Sequence, residues 1–187
     1  MGACFRRGAR AALVGLAVVV SGSPARAAAP LDGFGPAKFG MSVDAVRGLY
    51  PGIAPAPSIA GDSFLNHPNM VRLYLEKTTV MGLKHPVAVE FRFWKNELWT
   101  VLVYFLDNPF EDVTAMLTRQ YGPADTPGDD PAWVRDNAKL VTMPGGHWYS
   151  MNDTRISAAA KADLIQSLHD EAARRKASRT PVATPGH

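Results

Sequence analysis

The chain has 187 residues, 47% of them hydrophobic and 20% charged, a balance that excludes a disordered or fibrous chain and suits one domain with a real core. The formal charge of +3 belongs to the precursor: of 20 Lys and Arg, four (Arg6, Arg7, Arg10 and Arg26) fall in a removable N-terminal segment, and the sixteen left face 17 acids, a net of −1. No general attraction for nucleic acid follows from that balance.

The N-terminal segment, residues 1–27, reads as a cleaved secretory signal peptide. Arg6, Arg7 and Arg10 form its positive flank, Ala11 to Val20 its apolar run, and Ala25-Arg26-Ala27 a small-residue cleavage site. The run is too short to span a bilayer, and no later run is long enough, so no stable membrane insertion is expected. Arg6-Arg7 lacks the apolar residues that normally follow a twin-arginine pair, so the general secretory and twin-arginine routes both stay open. Cys4 precedes the apolar run and is not a lipoprotein cysteine; it is the only cysteine, so cleavage leaves no disulfide, thiolate metal site or thiol nucleophile. The expected product is periplasmic or secreted: a single domain over residues 28–176, then a disordered tail over 177–187.

The stretch "KFGMSVDAVRGLYPG" predicts the first helix. Ser42 is the cap, Val43, Val46, Leu49 and Tyr50 form one apolar stripe, Asp44 and Arg47 follow the helix dipole, and Pro51-Gly52 stops it. The following "PGIAPAPSIAGDS" is too rich in Pro, Gly and Ala for a further regular element.

Three strands come next. Val71, Leu73 and Leu75 alternate with Arg72, Tyr74 and Glu76; Val87, Val89, Phe91 and Phe93 alternate with Ala88, Glu90, Arg92 and Trp94; Trp99, Val101, Val103 and Phe105 alternate with Thr100, Leu102 and Tyr104. A two-residue loop at Lys95-Asn96 would turn the last row away from its partners. A three-residue loop instead pairs Phe93 with Trp99, Phe91 with Val101 and Val89 with Val103, with Asn96 or Glu97 left-handed, and that is the predicted register.

A second helix is predicted with Asn108 as cap, Pro109 and Glu111 in its first turn, and Phe110, Val113, Met116, Leu117 and Tyr121 as its stripe before Gly122-Pro123. Its order of cap, amphipathic helix, aromatic and stop echoes the first helix. Short strands follow at Ala132 to Arg135, Ala138 to Met143 and His147 to Met151. A last helix runs from Ser157 to about Lys176 and carries Leu164, Ile165, Leu168 and Ala172.

The segment "FGMSVDAVRGLYPG", through Gly40, Met41, Ser42 and Val46, resembles the helix start of small bacterial envelope proteins with the outer-membrane-assembly-lipoprotein or β-lactamase-inhibitor-like fold. "FRFWKNELWTVLVYF" looks like the hairpin those proteins place next. The resemblance implies an α+β fold: an antiparallel sheet with helices packed on one face, a helix-then-strands unit used in tandem, and here an added C-terminal helix. It also implies a protein that binds other proteins. The chain lacks the lipid-bearing cysteine of the assembly lipoproteins and the disulfides of the secreted inhibitors.

Catalytic and metal signals are thin. The mature histidines, His67, His85, His147, His169 and His187, form no HxH or HxxxH pair. His147 beside Gly145-Gly146 is the one candidate for a secreted hydrolase or a metal-dependent enzyme, with Ser150 or Ser157 nearby; no G-x-S-x-G elbow accompanies it. Asp125, Asp129 and Asp130 lack the spacing of a calcium loop. Arg174, Arg175, Lys176 and Arg179 suit a helix C-terminus as well as an anionic polymer. No catalytic residue, metal ligand or cofactor is assigned.

The informative surface is the polar side of the strands, where Arg72, Tyr74, Arg92, Trp94, Leu98, Leu102 and Tyr104 bring large rings and arginines where a solvent face carries charge. Tyr, Trp and Arg dominate binding hot spots. Two readings stand: Arg72, Tyr74, Arg92, Trp94, Leu102 and Tyr104 bind another envelope protein or cell-envelope component, or the last helix or later strands cover them as a second core layer.

Overall fold

The computed structural model describes residues 28–62 and 64–178; the signal segment and residues 179–187 of the expected tail lie outside the described residues. Ala177 and Ser178, expected in that tail, are helical.

The chain opens with a miniature hairpin, β1 (Gly33–Phe34) and β2 (Ala37–Lys38). Gly33 is obligatory there, because it has φ of 148° and a Cβ would meet the Ala37 carbonyl oxygen at 2.0 Å. Helix α1 (Val43–Leu49) starts at Ser42, whose Oγ accepts from the Ala45 amide. A second cap comes from far along the chain: Asn96 Oδ1 accepts from the Val43 amide at 3.0 Å. The helix is thereby held at both its own cap and a later hairpin turn. Val43 and Val46 are buried, while Leu49, expected on the stripe, is exposed.

The main sheet holds β3 (Ala54–Pro55), β4 (Met70–Thr78), β5 (Val87–Trp94) and β6 (Glu97–Tyr104). After helix α2 (Phe110–Tyr121) it adds β7 (Ala132–Arg135), β8 (Ala138–Met143) and β9 (Trp148–Asp153), and helix α3 (Thr154–Ser178) closes the chain. Strand order is β3-β4-β5-β6-β9-β8-β7, antiparallel throughout. Omitting the short edge strand β3, the order is palindromic. The unit α1-β4-β5-β6 is followed by α2-β7-β8-β9, and the two units join through their last strands. The expected α+β fold with a tandem helix-then-strands plan is what the chain forms, although the Pro-rich segment after α1 supplies an unexpected edge strand.

Helices α1 and α2 share one face of the sheet. Val46, Val113, Met116 and Leu117 pack there with Leu73, Val89, Phe91, Phe93, Val101, Val103, Trp133, Leu140 and Met151 in one apolar core. The structure corrects the hairpin turn. Trp94 faces Glu97 across a two-residue loop, with Lys95 at φ of 48° and Asn96 at 68°, the turn that matches strand twist. The register Phe91–Val101 and Val89–Val103 is the expected one, because a bulge opposes Phe93 to Leu98 and restores it. That extra residue throws Trp99 to the opposite face and puts Leu98 in the main core.

Two helix ends also differ from expectation. Asn108 is not the cap of α2: its side chain accepts from the His85 amide and donates to the His85 carbonyl, both at 3.0 Å, clamping the β4–β5 loop. Helix α3 begins three residues before Ser157, because Asp153 Oδ1 accepts from the amides of Arg155 and Ile156. Its docking side is Ile156 and Ala160, while Ile165 and Leu168 of the expected stripe face solvent.

Candidate functional site

The face opposite α1 and α2 is built from the alternate residues of the same strands. Register aligns Arg72, Arg92, Thr100, Asn152, Lys139 and Val134 in one row across the sheet. Tyr74, Glu90, Leu102, Ser150 and Val141 form the next row, and Tyr104, Trp148 and Met143 a third.

Glu90 sits at the centre and is 4% exposed. Its Oε1 accepts from Arg72 Nε at 2.8 Å and from Arg92 Nε at 2.7 Å, and its Oε2 accepts from Arg72 Nη2 at 3.0 Å. The Tyr104 hydroxyl lies 3.5 Å from Oε2. Burial pushes the Glu90 carboxyl up, but the two guanidiniums together outweigh it and hold the group below its ordinary value. The hydrogen bond to Glu90 raises Arg72 in turn, against its own burial. Burial, and then the Glu90 charge, raise the Tyr104 phenol. The centre is therefore a fixed carboxylate between two cations.

The two arginines are not equivalent. Arg72 also donates through Nη1 to the Pro57 carbonyl at 2.9 Å, so each of its three nitrogens has a partner and the loop after β3 is tied to the sheet. Arg92 engages Glu90 through Nε alone; among the described residues its terminal Nη nitrogens have no hydrogen-bond partner. A fork of donors, on a side chain 18% exposed, thus stands on this face one row from Leu102 and two from Tyr104.

The six residues expected to form one open surface divide into two groups. Arg72, Tyr74, Arg92 and Tyr104 are partly exposed around Glu90. Trp94 is not part of that surface: it is 2% exposed, stacked under His67 at 4.8 Å and Phe64 at 6.1 Å, and its Nε1 donates to Asp163 of α3 at 3.0 Å. Leu102 lies in the middle of the face but is only 7% exposed. Leu98, also assigned to this side, belongs to the main core because of the bulge. The covering reading holds at one end of the face only. Helix α3 covers the hairpin end of the face, where Ile156 and Ala160 join Met70, Trp94 and Trp99, and leaves the two rows beyond without a covering helix.

Sequence reading missed Glu90 as the organising residue, and it missed Trp148, Val141, Met143 and Val134 as the second half of the face. The alternation in β8 and β9 carried that signal, but only the pairing of β9 with β6 joins it to Tyr104 and Leu102. Gly146 is needed beside Trp148, since a Cβ there would meet the indole nitrogen at 2.4 Å.

His147 is exposed, with φ of 51°, and its ring packs against the edge of Phe105 at 6.1 Å. Among the described residues no carboxylate or hydroxyl is hydrogen-bonded to that ring. Asp125 is occupied as a turn acceptor for the Val134 amide and Arg135. Among the described residues no group of three His, Cys, Asp or Glu is placed to hold a metal ion, and no helix is long and apolar enough to cross a membrane.

Compared with known proteins, the chain matches no family model, no curated protein and no solved structure.

Proposed function

We propose that this is an exported, non-enzymatic envelope protein that binds another envelope protein through the uncovered part of the sheet face. The observation that carries the reading is the Arg92 fork, fixed by Glu90 yet unspent at its Nη nitrogens, in a setting of Tyr74, Leu102, Tyr104 and Trp148. A pre-organised guanidinium on a face that also carries aromatic and apolar side chains is the composition of a binding hot spot. The chemistry it fits is a partner surface that presents a carboxylate flanked by apolar side chains. Bidentate pairing would saturate the fork while the flanks bury Tyr104 and Trp148. The implied export signal and the resemblance to envelope binding proteins are what support a partner in the envelope.

The test is capture by the protein purified from the envelope fraction, comparing the wild type with Arg92→Gln and with Arg119→Gln on the exposed side of α2. Gln at position 92 retains a donor towards Glu90 and loses the fork together with its positive charge. A specific partner should be retained by wild type and Arg119→Gln and weakened roughly tenfold or more by Arg92→Gln. No specific partner, or full capture by Arg92→Gln, would sink the reading.

A further inference from the structure

On the helix side of the sheet a cleft of about 280 Å³ opens between the C-terminal ends of α1 and α2. The two units of the fold contribute to it alike, Tyr50 from the end of the first helix and Tyr121 from the end of the second, with Tyr149 of β9 as the floor. Phe34, Thr79 and Met81 complete its walls, and none of the lining residues is charged.

The hydrogen-bonding capacity of the three phenols is unevenly used. The Tyr50 hydroxyl donates to the Phe34 carbonyl at 2.8 Å. The Tyr121 hydroxyl accepts from Gln120 Nε2 at 3.0 Å and points its proton at Met151 Sδ, 3.8 Å away. Tyr149 is 3% exposed, and among the described residues its hydroxyl has no hydrogen-bond partner. Burial pushes the Tyr149 phenol far above its ordinary range and Tyr121 up to about 12, so both remain protonated. The Tyr149 hydroxyl is therefore a protonated donor that faces the cleft and is free to give its proton to an acceptor there.

We infer that this cleft is a binding site for a small uncharged molecule with an aromatic body and one hydrogen-bond acceptor, which takes the proton of Tyr149. The lining decides the class. No cation is present to hold an anion, and the carbonyl ends of two helices meet there, which opposes negative charge. No carboxylate lines the cleft to hold a cation. The rings of Phe34, Tyr50, Tyr121 and Tyr149 supply faces and edges for an aromatic body. The volume suits a molecule of about a dozen heavy atoms, at the small end of ligand sites. This site is on the opposite side of the sheet from Arg92 and does not depend on what binds there.

Acetophenone is a suitable neutral probe, with benzoate as its charged counterpart, titrated into the purified protein and followed by the amide and tyrosine-ring NMR signals. Saturable shifts confined to Tyr50, Tyr121, Tyr149 and the Thr79–Met81 segment are expected. Benzoate should bind at least tenfold more weakly. Tyr149→Phe keeps the ring stacked on Phe105 and removes only the hydroxyl, so it should weaken acetophenone roughly tenfold. Thr79→Trp, a change at an exposed rim position, should abolish binding with the melting temperature unchanged. Absence of saturable acetophenone shifts, equal affinity for benzoate, or unchanged binding to Thr79→Trp would overturn the inference. If Tyr149→Phe fails to fold, the rim variant and the benzoate comparison still decide it.

Discussion

The two faces of the seven-stranded sheet are made by alternate residues of the same strands, yet they are finished in different ways. On the side of α1 and α2, Phe91, Val101, Met151 and Leu140 form a continuous apolar row packed under two helices. On the other side, a single residue away along each strand, the row runs through Glu90, Leu102 and Ser150, and only the hairpin end is covered by α3. The first face specifies the fold. The second holds a buried carboxylate whose two cations are arranged at the expense of apolar packing, which a chain optimised for stability alone would avoid. The contrast is the physical ground for assigning binding to the second face.

The sharpest way to break that comparison is to truncate one ring on each face. Phe91→Ala removes a fully buried ring from the centre of the helix face and should lower unfolding free energy by about 3–5 kcal/mol in urea melts. Truncation of half-exposed Tyr104 to Ala on the other face should lower it by no more than about 1–2 kcal/mol. Equal losses would show that both faces are core.

The ionic centre comes next. Glu90→Gln leaves Arg72 and Arg92 without their counter-charge, and a loss of about 3 kcal/mol is expected at neutral pH. Because the Glu90 carboxyl is held below its ordinary value in the folded state, its contribution is complete above that value, 4.5, and is lost as pH falls through the depressed folded value. The gap in stability between wild type and Glu90→Gln should therefore be flat above pH 4.5 and narrow below it. A gap that persists unchanged into strong acid would mean that the carboxylate charge is not what holds the centre. The smallest effect is at the covered end: Trp94→Phe keeps the stack on Phe64 and His67 but removes the bond to Asp163. It should lose about 1 kcal/mol and loosen α3, read as faster amide exchange in that helix.

Local patterning carried much of this fold. The alternation in β4, β5 and β6, the pairing of Phe91 with Val101, the Val113–Met116–Leu117–Tyr121 stripe and the Ser42 cap all follow from neighbouring residues. Trp99 was misplaced because a tight turn and a bulge sum to the same register as a longer loop, and alternation cannot separate the two. Helix α3 was read from its larger apolar residues, whereas it docks through Ile156, Ala160 and the polar tips of Asp163 and Ser167. Which side of a helix is buried depends on what it meets, and α3 meets Trp94 and His67 from a distant part of the chain. Four of the residues singled out for the face do surround Glu90. Their organising carboxylate looked like an ordinary outward residue, and the half contributed by Trp148 and Val141 required the non-local pairing of β9 with β6.

The central claim is that a partner sits on the uncovered face. Its most direct test is site-specific photocrosslinking in the intact envelope, with a benzophenone side chain placed at Tyr104 or, as the control, at exposed Ala115 on α2. The expected result is one discrete adduct from position 104, absent from position 115 and lost when Arg92→Gln is added. No adduct from position 104, or the same adduct from both positions, would contradict it.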